Sequence, residues 1–211
     1  MIFTRSAYRC GLAAATVLAL AVVWRATTAP APAPAAAAYS VNCSTTNGAF
    51  TVQVHRGWAP RGADRFHALV QGGYYTGNAF FRVLPGFVVQ WGLSPTAALS
   101  QAWSKRPIAD DPVRESNLRG RISFAARGPN TRSTQVFVNL GNNQRLDRLG
   151  FAPFGEVTAG LDALAHMAAD YGEMAPAGHG PDPRMILKSG AAYLTRNFPR
   201  LDVIYSCKVI E

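Results

Sequence analysis

The chain has 211 residues, 48% of them hydrophobic and 16% charged, with 19 Gly and 14 Pro; this is a globular, loop-rich composition, not a disordered one. Its net charge of +9 comes from 18 Arg and 3 Lys against 12 acids. The cations are scattered with no dense block alternating with aromatics, which speaks against nucleic-acid binding.

Residues 1–38 read as a leader. Arg5 and Arg9 precede an apolar run, residues 11–24, followed by Arg25 and an Ala/Pro tract. Fourteen residues rise only about 21 Å as a helix, against about 30 Å of bilayer core. That length suits a signal-peptide core, with small-x-small cleavage sites in 33–38. An uncleaved short membrane anchor with an Ala/Pro spacer is the alternative, and organelle targeting a third. The expected location is the secretory pathway (endoplasmic reticulum lumen or extracellular), with membrane-anchored or organellar as alternatives. Residues 39–211 form the folded domain.

Cys10 belongs to the leader, leaving Cys43 and Cys207. In an oxidising compartment such a pair invites a disulfide, while two small buried hydrophobes remain the plainer alternative. Val203, Tyr205, Cys207 and Val209 alternate on one expected strand face. Asn42 opens a formal glycosylation sequon, Asn42-Cys43-Ser44.

In chain order, Phe50, Val52 and Val54 alternate with polar residues as a half-buried strand. Pro60 then opens a helix whose buried stripe is Ala63, Phe66, Leu69 and Val70, ended at Gly72-Gly73. FFRVL and GFVVQW are short strands around Pro85-Gly86. Residues 94–117 read as a long irregular excursion. RISFAAR, TQVFVNL and APFGEV are further strands. Thr158 caps a second helix striped by Leu161, Leu164, Ala165 and Ala168. Residues 171–190 are turn-rich, and DVIYSCKVI is the last strand. Many short strands with only two helices argue for an all-β closed barrel or sandwich.

The histidines His55, His67, His166 and His179 have no metal-ligand spacing, so no metal is expected, and with no Gly-x-Gly-x-x-Gly or Walker loop no cofactor is expected either. No nucleophile–base constellation supports hydrolysis. Arg82 stands among apolar residues, on the face of Phe80 and Leu84 if alternation is regular. One reading is a surface arginine lying over apolar neighbours. The other is a guanidinium held beside an apolar cleft, where it donates more strongly than in water. Gln90, Gln135 and Phe137 would add two amides and an aromatic floor, a set suited to a peptide.

FFRVLPGFVVQWG, ISFAARGPNTRSTQVFVNL, GFAPFGEV and WAPRGADRFHALVQGGYY together resemble the cyclophilin family of peptidyl-prolyl cis/trans isomerases. The resemblance covers residues 47–210 and implies a closed eight-stranded antiparallel barrel with a helix over each end and an external peptide groove. By motif, Arg82 is similar to the catalytic arginine. Phe87, Val88, Gln90, Ala125, Ala126, Gln135, Phe137, Leu146 and Phe151 fall at groove positions. The implied partners are proline-containing polypeptides and, with altered affinity, cyclosporin-like cyclic peptides. Departures fall at Trp91 and Leu93, which interrupt Gln-Gly-Gly-Asp; at Ala126, often Asn; at Arg145, often Trp or Phe; and at Phe151, often His or Tyr. These keep open a non-catalytic peptide-binding module in a secretory-pathway complex.

Overall fold

The computed structural model describes residues 38–210. The apolar run of the leader lies outside the described residues. Among the described residues no helix is long and apolar enough to cross a membrane.

Eight strands form one antiparallel sheet. They are β1 Ala38–Thr45, β2 Gly48–His55, β3 Arg82–Leu84, β4 Val88–Trp91, β5 Arg121–Phe124, β6 Val136–Asn139, β7 Pro153–Ala159 and β8 Ile204–Ile210. Their order is β3-β4-β6-β5-β7-β2-β1-β8. Alternation in β1 and β2 buries Val41, Cys43, Phe50, Val52 and Val54 on one face. The sheet curls around these residues, and Phe66, Trp91, Phe124 and Phe154 complete the core.

The expected closed barrel is met in strand number and antiparallel sense, but the ladder is open. β3 and β8 are its edges and do not pair. β3 has only three residues before the chain turns back onto β4, too few to carry a ladder across the gap. The segment before β3 meets the start of β8 and the residues just before it instead. Gly77 N–H donates to Ile204 O at 2.7 Å, Ile204 N–H to Asn78 O at 2.9 Å, and Phe80 N–H to Asp202 O at 2.9 Å.

Four helices are present among the described residues where the sequence predicts two. The first, α1 Pro60–Gln71, buries its predicted stripe. Its N-cap residue, Ala59, has no side-chain acceptor, and Asp111 takes that role from fifty positions away, accepting from Arg61 N–H at 3.1 Å and Gly62 N–H at 2.9 Å. The second, α2 Ala97–Ser104, falls inside the supposed irregular excursion; it buries only Ser100 and so carries no apolar stripe to read. The third, α3 Leu161–Ala165, begins after Gly160, not at a Thr158 cap.

The fourth helix, α4 Pro183–Asn197, lies partly in the segment read as turns. Pro183 is its first residue, and Asp182 caps it by accepting from Arg184 N–H at 2.8 Å. A proline there marks a helix start as readily as a turn. The helix breaks at Gly190, which adopts φ 54° against the Pro95 carbonyl, and Ala191 N–H donates to that oxygen at 2.8 Å. α4 packs on α2 and builds a second core of Ala79, Phe81, Leu93, Ile186 and Leu194.

β8 departs from the predicted single face. The register slips between Ser44 and Thr45, leaving Tyr205 unpaired with β1 and exposed while Cys207 is buried. Cys207 stands opposite Cys43 in the β1–β8 ladder, and the two form a disulfide. Asn42 lies mid-strand between β2 and β8, its amide nitrogen donating to Thr51 Oγ1 at 3.1 Å.

Candidate active site

Ladder register assembles a row of three side chains across three strands. Arg82 of β3 pairs with Gln90 of β4, and Gln90 pairs with Phe137 of β6. Because side chains alternate, Val83, Val89 and Val138 enter the core while Arg82, Gln90 and Phe137 face outward. Phe80 does not share the Arg82 face, contrary to the regular alternation expected. It precedes β3, bonds to Asp202 through its backbone, and buries its ring in the main core.

The outward row forms one wall of a cavity of about 150 Å³. Phe87, Val88, Phe137, Leu146 and Phe151 supply its apolar surface, and Ala125, Ala126 and Met174 complete it beside Arg82 and Gln90. That volume is well below the 300–1,000 Å³ typical of drug-sized ligand pockets, so it suits a single small side chain or ring. Phe137 and Phe151 meet edge to face at 5.6 Å. The Phe87 carbonyl accepts from Leu140 N–H and from Asn143 Nδ2, each at 2.8 Å, which fixes that wall.

Leu146 comes from a 3₁₀ turn, Gln144–Leu149, anchored by Asp147. The Asp147 carboxylate accepts from Ser116 Oγ at 2.5 Å and from Asn117 N–H and Nδ2 at 2.9 and 2.8 Å. Burial alone would raise the pKa of Asp147, but these hydrogen bonds and the charge of Arg121 outweigh it and hold the pKa below the usual aspartate range.

Arg82 is held among its apolar neighbours by polar partners. Arg82 Nε and Nη2 donate to the two Glu173 carboxylate oxygens at 2.7 and 2.6 Å, and Nη1 donates to Gln90 Oε1 at 3.1 Å. Gln90 Nε2 in turn donates to Gln135 Oε1 at 3.1 Å. Thus three of five guanidinium N–H donors are engaged among the described residues, leaving two. Burial would raise the pKa of Glu173, yet the hydrogen bonds from Arg82 and from Met174 N–H, with the Arg82 charge, lower it. Two cations approach the Phe87 ring, with Arg82 Cζ 5.4 Å and Arg145 Cζ 4.6 Å from its centroid, both within cation–π range.

A second cavity of about 470 Å³ adjoins the first and shares Gln90, Ala125, Ala126 and Met174 with it. Gln135 lines this second space, whose far side is built by Ser100 and Ser104 of α2 and Pro183 and Leu187 of α4. Together the two adjoining cavities make the candidate groove: a small apolar cleft walled by a fixed arginine, beside a wider, more polar compartment. The arrangement can grip one apolar ring, present N–H donors at its edge and hold flanking backbone. Among the described residues no cluster of His, Cys, Asp or Glu could hold a metal.

Residues 40–186 match the family model described as "Cyclophilin type peptidyl-prolyl cis-trans isomerase/CLD". The chain belongs to this cyclophilin family. Among its relatives, peptidyl-prolyl cis-trans isomerase-like 3 of Mus musculus is 35% identical over 131 residues, 59% of this chain and 79% of the relative. A peptidyl-prolyl cis-trans isomerase of Acinetobacter baylyi is 30% identical over 134 residues, 61% of this chain and 71% of the relative. The crystal structure of a Cryptosporidium parvum cyclophilin-type isomerase shares the fold with a TM-score of 0.60 at 20% identity, covering 82% of this chain and 98% of that one. A second structure of it, in the presence of the dipeptide Ala-Pro, gives a TM-score of 0.59.

Within this cyclophilin fold, the ten residues singled out by motif all reach the groove: nine line the smaller cavity, and Gln135 joins them through Gln90. Trp91 does not. It is fully buried on the inner face of β4, against Phe50 and Phe80, so it shapes the core and not the groove. Leu93 lines the wider cavity. Glu173 and Met174 were not singled out from the sequence. They lie about ninety positions beyond Arg82 in a turn-rich stretch with no periodicity, and nothing in their spacing points to the site.

Proposed function

We propose that this cyclophilin accelerates rotation about X-Pro bonds in polypeptides, assisting protein folding, and that the small cleft holds the proline ring. The observation that carries the reading is a clamped arginine with two uncommitted N–H groups on the wall of an apolar cavity sized for one ring. The amide barrier is about 18–20 kcal/mol, and unassisted X-Pro isomerisation takes on the order of 10–100 s. At the twisted state the prolyl nitrogen loses conjugation with the carbonyl and becomes a better acceptor. An N–H from Arg82 toward that nitrogen therefore stabilises the twisted state more than the planar one, which is what lowers the barrier.

Phe87, Val88, Phe137, Leu146 and Phe151 hold the ring by contact while the chain on one side of it turns. Gln90 and Gln135 keep amide N–H groups for flanking carbonyls. No covalent bond breaks, so the residues need supply neither nucleophile nor proton relay. The Ala-Pro dipeptide used with the Cryptosporidium structure is in keeping with proline-containing peptides as the ligand class.

Exchange NMR on a proline-containing peptide tests this reading. Catalytic amounts of the protein should drive cis/trans exchange, and Arg82→Ala should slow turnover by about two to three orders of magnitude, as for loss of an oxyanion-hole donor. Unchanged turnover in that variant sinks the assignment, and saturable shifts without exchange mean a binding module.

The Cys43–Cys207 disulfide and the leader together support export of the chain to an oxidising compartment, with residues 39–211 as the working domain. The mass of the N-terminus after expression in a host with a secretory pathway distinguishes cleavage from anchoring.

A further inference from the structure

Resting on the isomerase reading above, we propose that Glu173 is a positioning residue for the reaction: its carboxylate clamps the Nε/Nη2 edge of Arg82 and holds the guanidinium at the wall of the proline cleft. Arginine has a long, rotamer-rich side chain, and apart from Glu173 only one hydrogen bond to Gln90 and the Phe87 ring restrain Arg82. A fork-to-fork pair sets both the position and the plane of the guanidinium. The side chains are only 18% and 32% exposed, so water competes weakly for either partner.

Glu173 is itself held. Its Oε1 accepts from Met174 N–H at 2.8 Å, and its carbonyl accepts from Gly180 N–H at 2.8 Å. Gly178 N–H closes the turn on Met174 O at 2.9 Å. A Cβ on Gly178 would collide with the backbone and side chain of Glu173, so the turn closes only around glycine there. Behind it, Met174 packs against the second core, as do Leu187, Tyr193 and Phe198. Asp182 N–H donates to Tyr193 Oη at 3.1 Å. The second core and α4 thus brace a segment whose carboxylate ends on the reacting arginine.

The same contact could be read as a plug. The geometry favours positioning, because the cleft remains open with Glu173 and Met174 in place, and Met174 is part of its wall. Two Arg82 N–H groups also remain uncommitted, so the clamp uses the edge of the guanidinium without exhausting it.

The test is a double-mutant cycle read by peptide exchange NMR with the full domain, using a proline-containing tetrapeptide. Glu173→Gln, which keeps the shape but not the charge, should lower kcat by between about tenfold and a hundredfold with KM little changed. In an Arg82→Ala background the same substitution should have no further effect on kcat, because its action passes through the arginine. The Arg82 Nε–H resonance, assigned by its loss in Arg82→Lys, should move upfield in Glu173→Gln. Gly178→Ala, which retains the carboxylate but opens its turn, should lower kcat in the same way and also move that resonance, and it carries the test if Glu173→Gln does not fold. Wild-type turnover in Glu173→Gln overturns the proposal, as does a rise in kcat or an equal loss in the Arg82→Ala background. Inactivity of the wild-type protein instead rejects the isomerase reading itself.

Discussion

Gln90 stands opposite Arg82 in the β3–β4 ladder and spends its amide in both directions, accepting from Arg82 Nη1 at 3.1 Å and donating to Gln135 Oε1 at 3.1 Å. It therefore ties the Arg82 guanidinium to the wider compartment. Gln90→Ala is expected to reduce kcat/KM by roughly tenfold, about 1.4 kcal/mol of transition-state stabilisation. The decrease should fall on both KM and kcat, because the variant loses a peptide-holding group and one arginine restraint together. A variant with wild-type kcat/KM in the exchange assay would show that the amide relay is idle.

Below that row, Asp147 fastens the turn carrying Leu146. Its carboxyl pKa lies below the ordinary aspartate value of 3.8 in the folded chain. The folded state therefore holds its charged form more strongly than the unfolded state does. The stabilisation is complete above about pH 4 and is lost as pH falls through the lower folded value. Asp147→Asn should be less stable than wild type at pH 7 and lose less stability on acidification. Urea midpoints measured for both from pH 7 down to about pH 3 should converge; parallel curves would exclude Asp147 as a source of acid sensitivity.

Much of the site was legible because it rests on strands of period two and on a turn. The spacing of Gln135 and Phe137 is enough to put them on one face, and Pro85-Gly86 is enough to bring Phe87 back beside Arg82. Other features depended on contacts that a linear pattern does not encode. α2 has no apolar stripe, and Pro183 looks the same in a turn as at a helix start. Trp91 departs from the family pattern beside Gln90, and alternation from Gln90 sends it inward. The Arg82–Glu173 pair joins residues separated in the chain by four strands, and only the second core explains why they meet. Arg145 was legible as a departure, but its place over the Phe87 ring at 4.6 Å follows from the 3₁₀ turn.

The same limit applies to Arg132 and Asp111. Arg132 is only 2% exposed, and its Nη1 and Nη2 each lie 3.1 Å from Asp111 Oδ2, with Nε 3.1 Å from Asp110 Oδ1. Asp111 also caps α1, so one carboxylate joins the helix to the loop leading into β6. Asp111→Ala leaves a buried guanidinium with only Asp110 as a charged partner and removes the cap. The expected cost is about 3–5 kcal/mol, measured by chemical denaturation. Arg132→Met in the same background should recover part of it by removing the stranded charge; a cost under about 1 kcal/mol in the single variant would mean that the pair behaves as a surface salt bridge.

The disulfide offers a separate test of what the open sheet relies on. Cys43 and Cys207 join residues 164 apart across the β1–β8 ladder. Linking such distant positions restricts the unfolded chain strongly, and removing a native disulfide typically costs about 2–5 kcal/mol. None of the cleft residues lies on β1 or β8. The variant Cys43→Ala/Cys207→Ala should therefore unfold at lower denaturant while its turnover at 25 °C stays within about twofold of wild type. Reduction of the wild-type protein with dithiothreitol should move its midpoint in the same direction. Loss of turnover under conditions where the variant is still folded would show that the ladder joined by this bond sets the geometry of the distant row from Arg82 to Phe137, and that the open edge is mechanically coupled to the cleft.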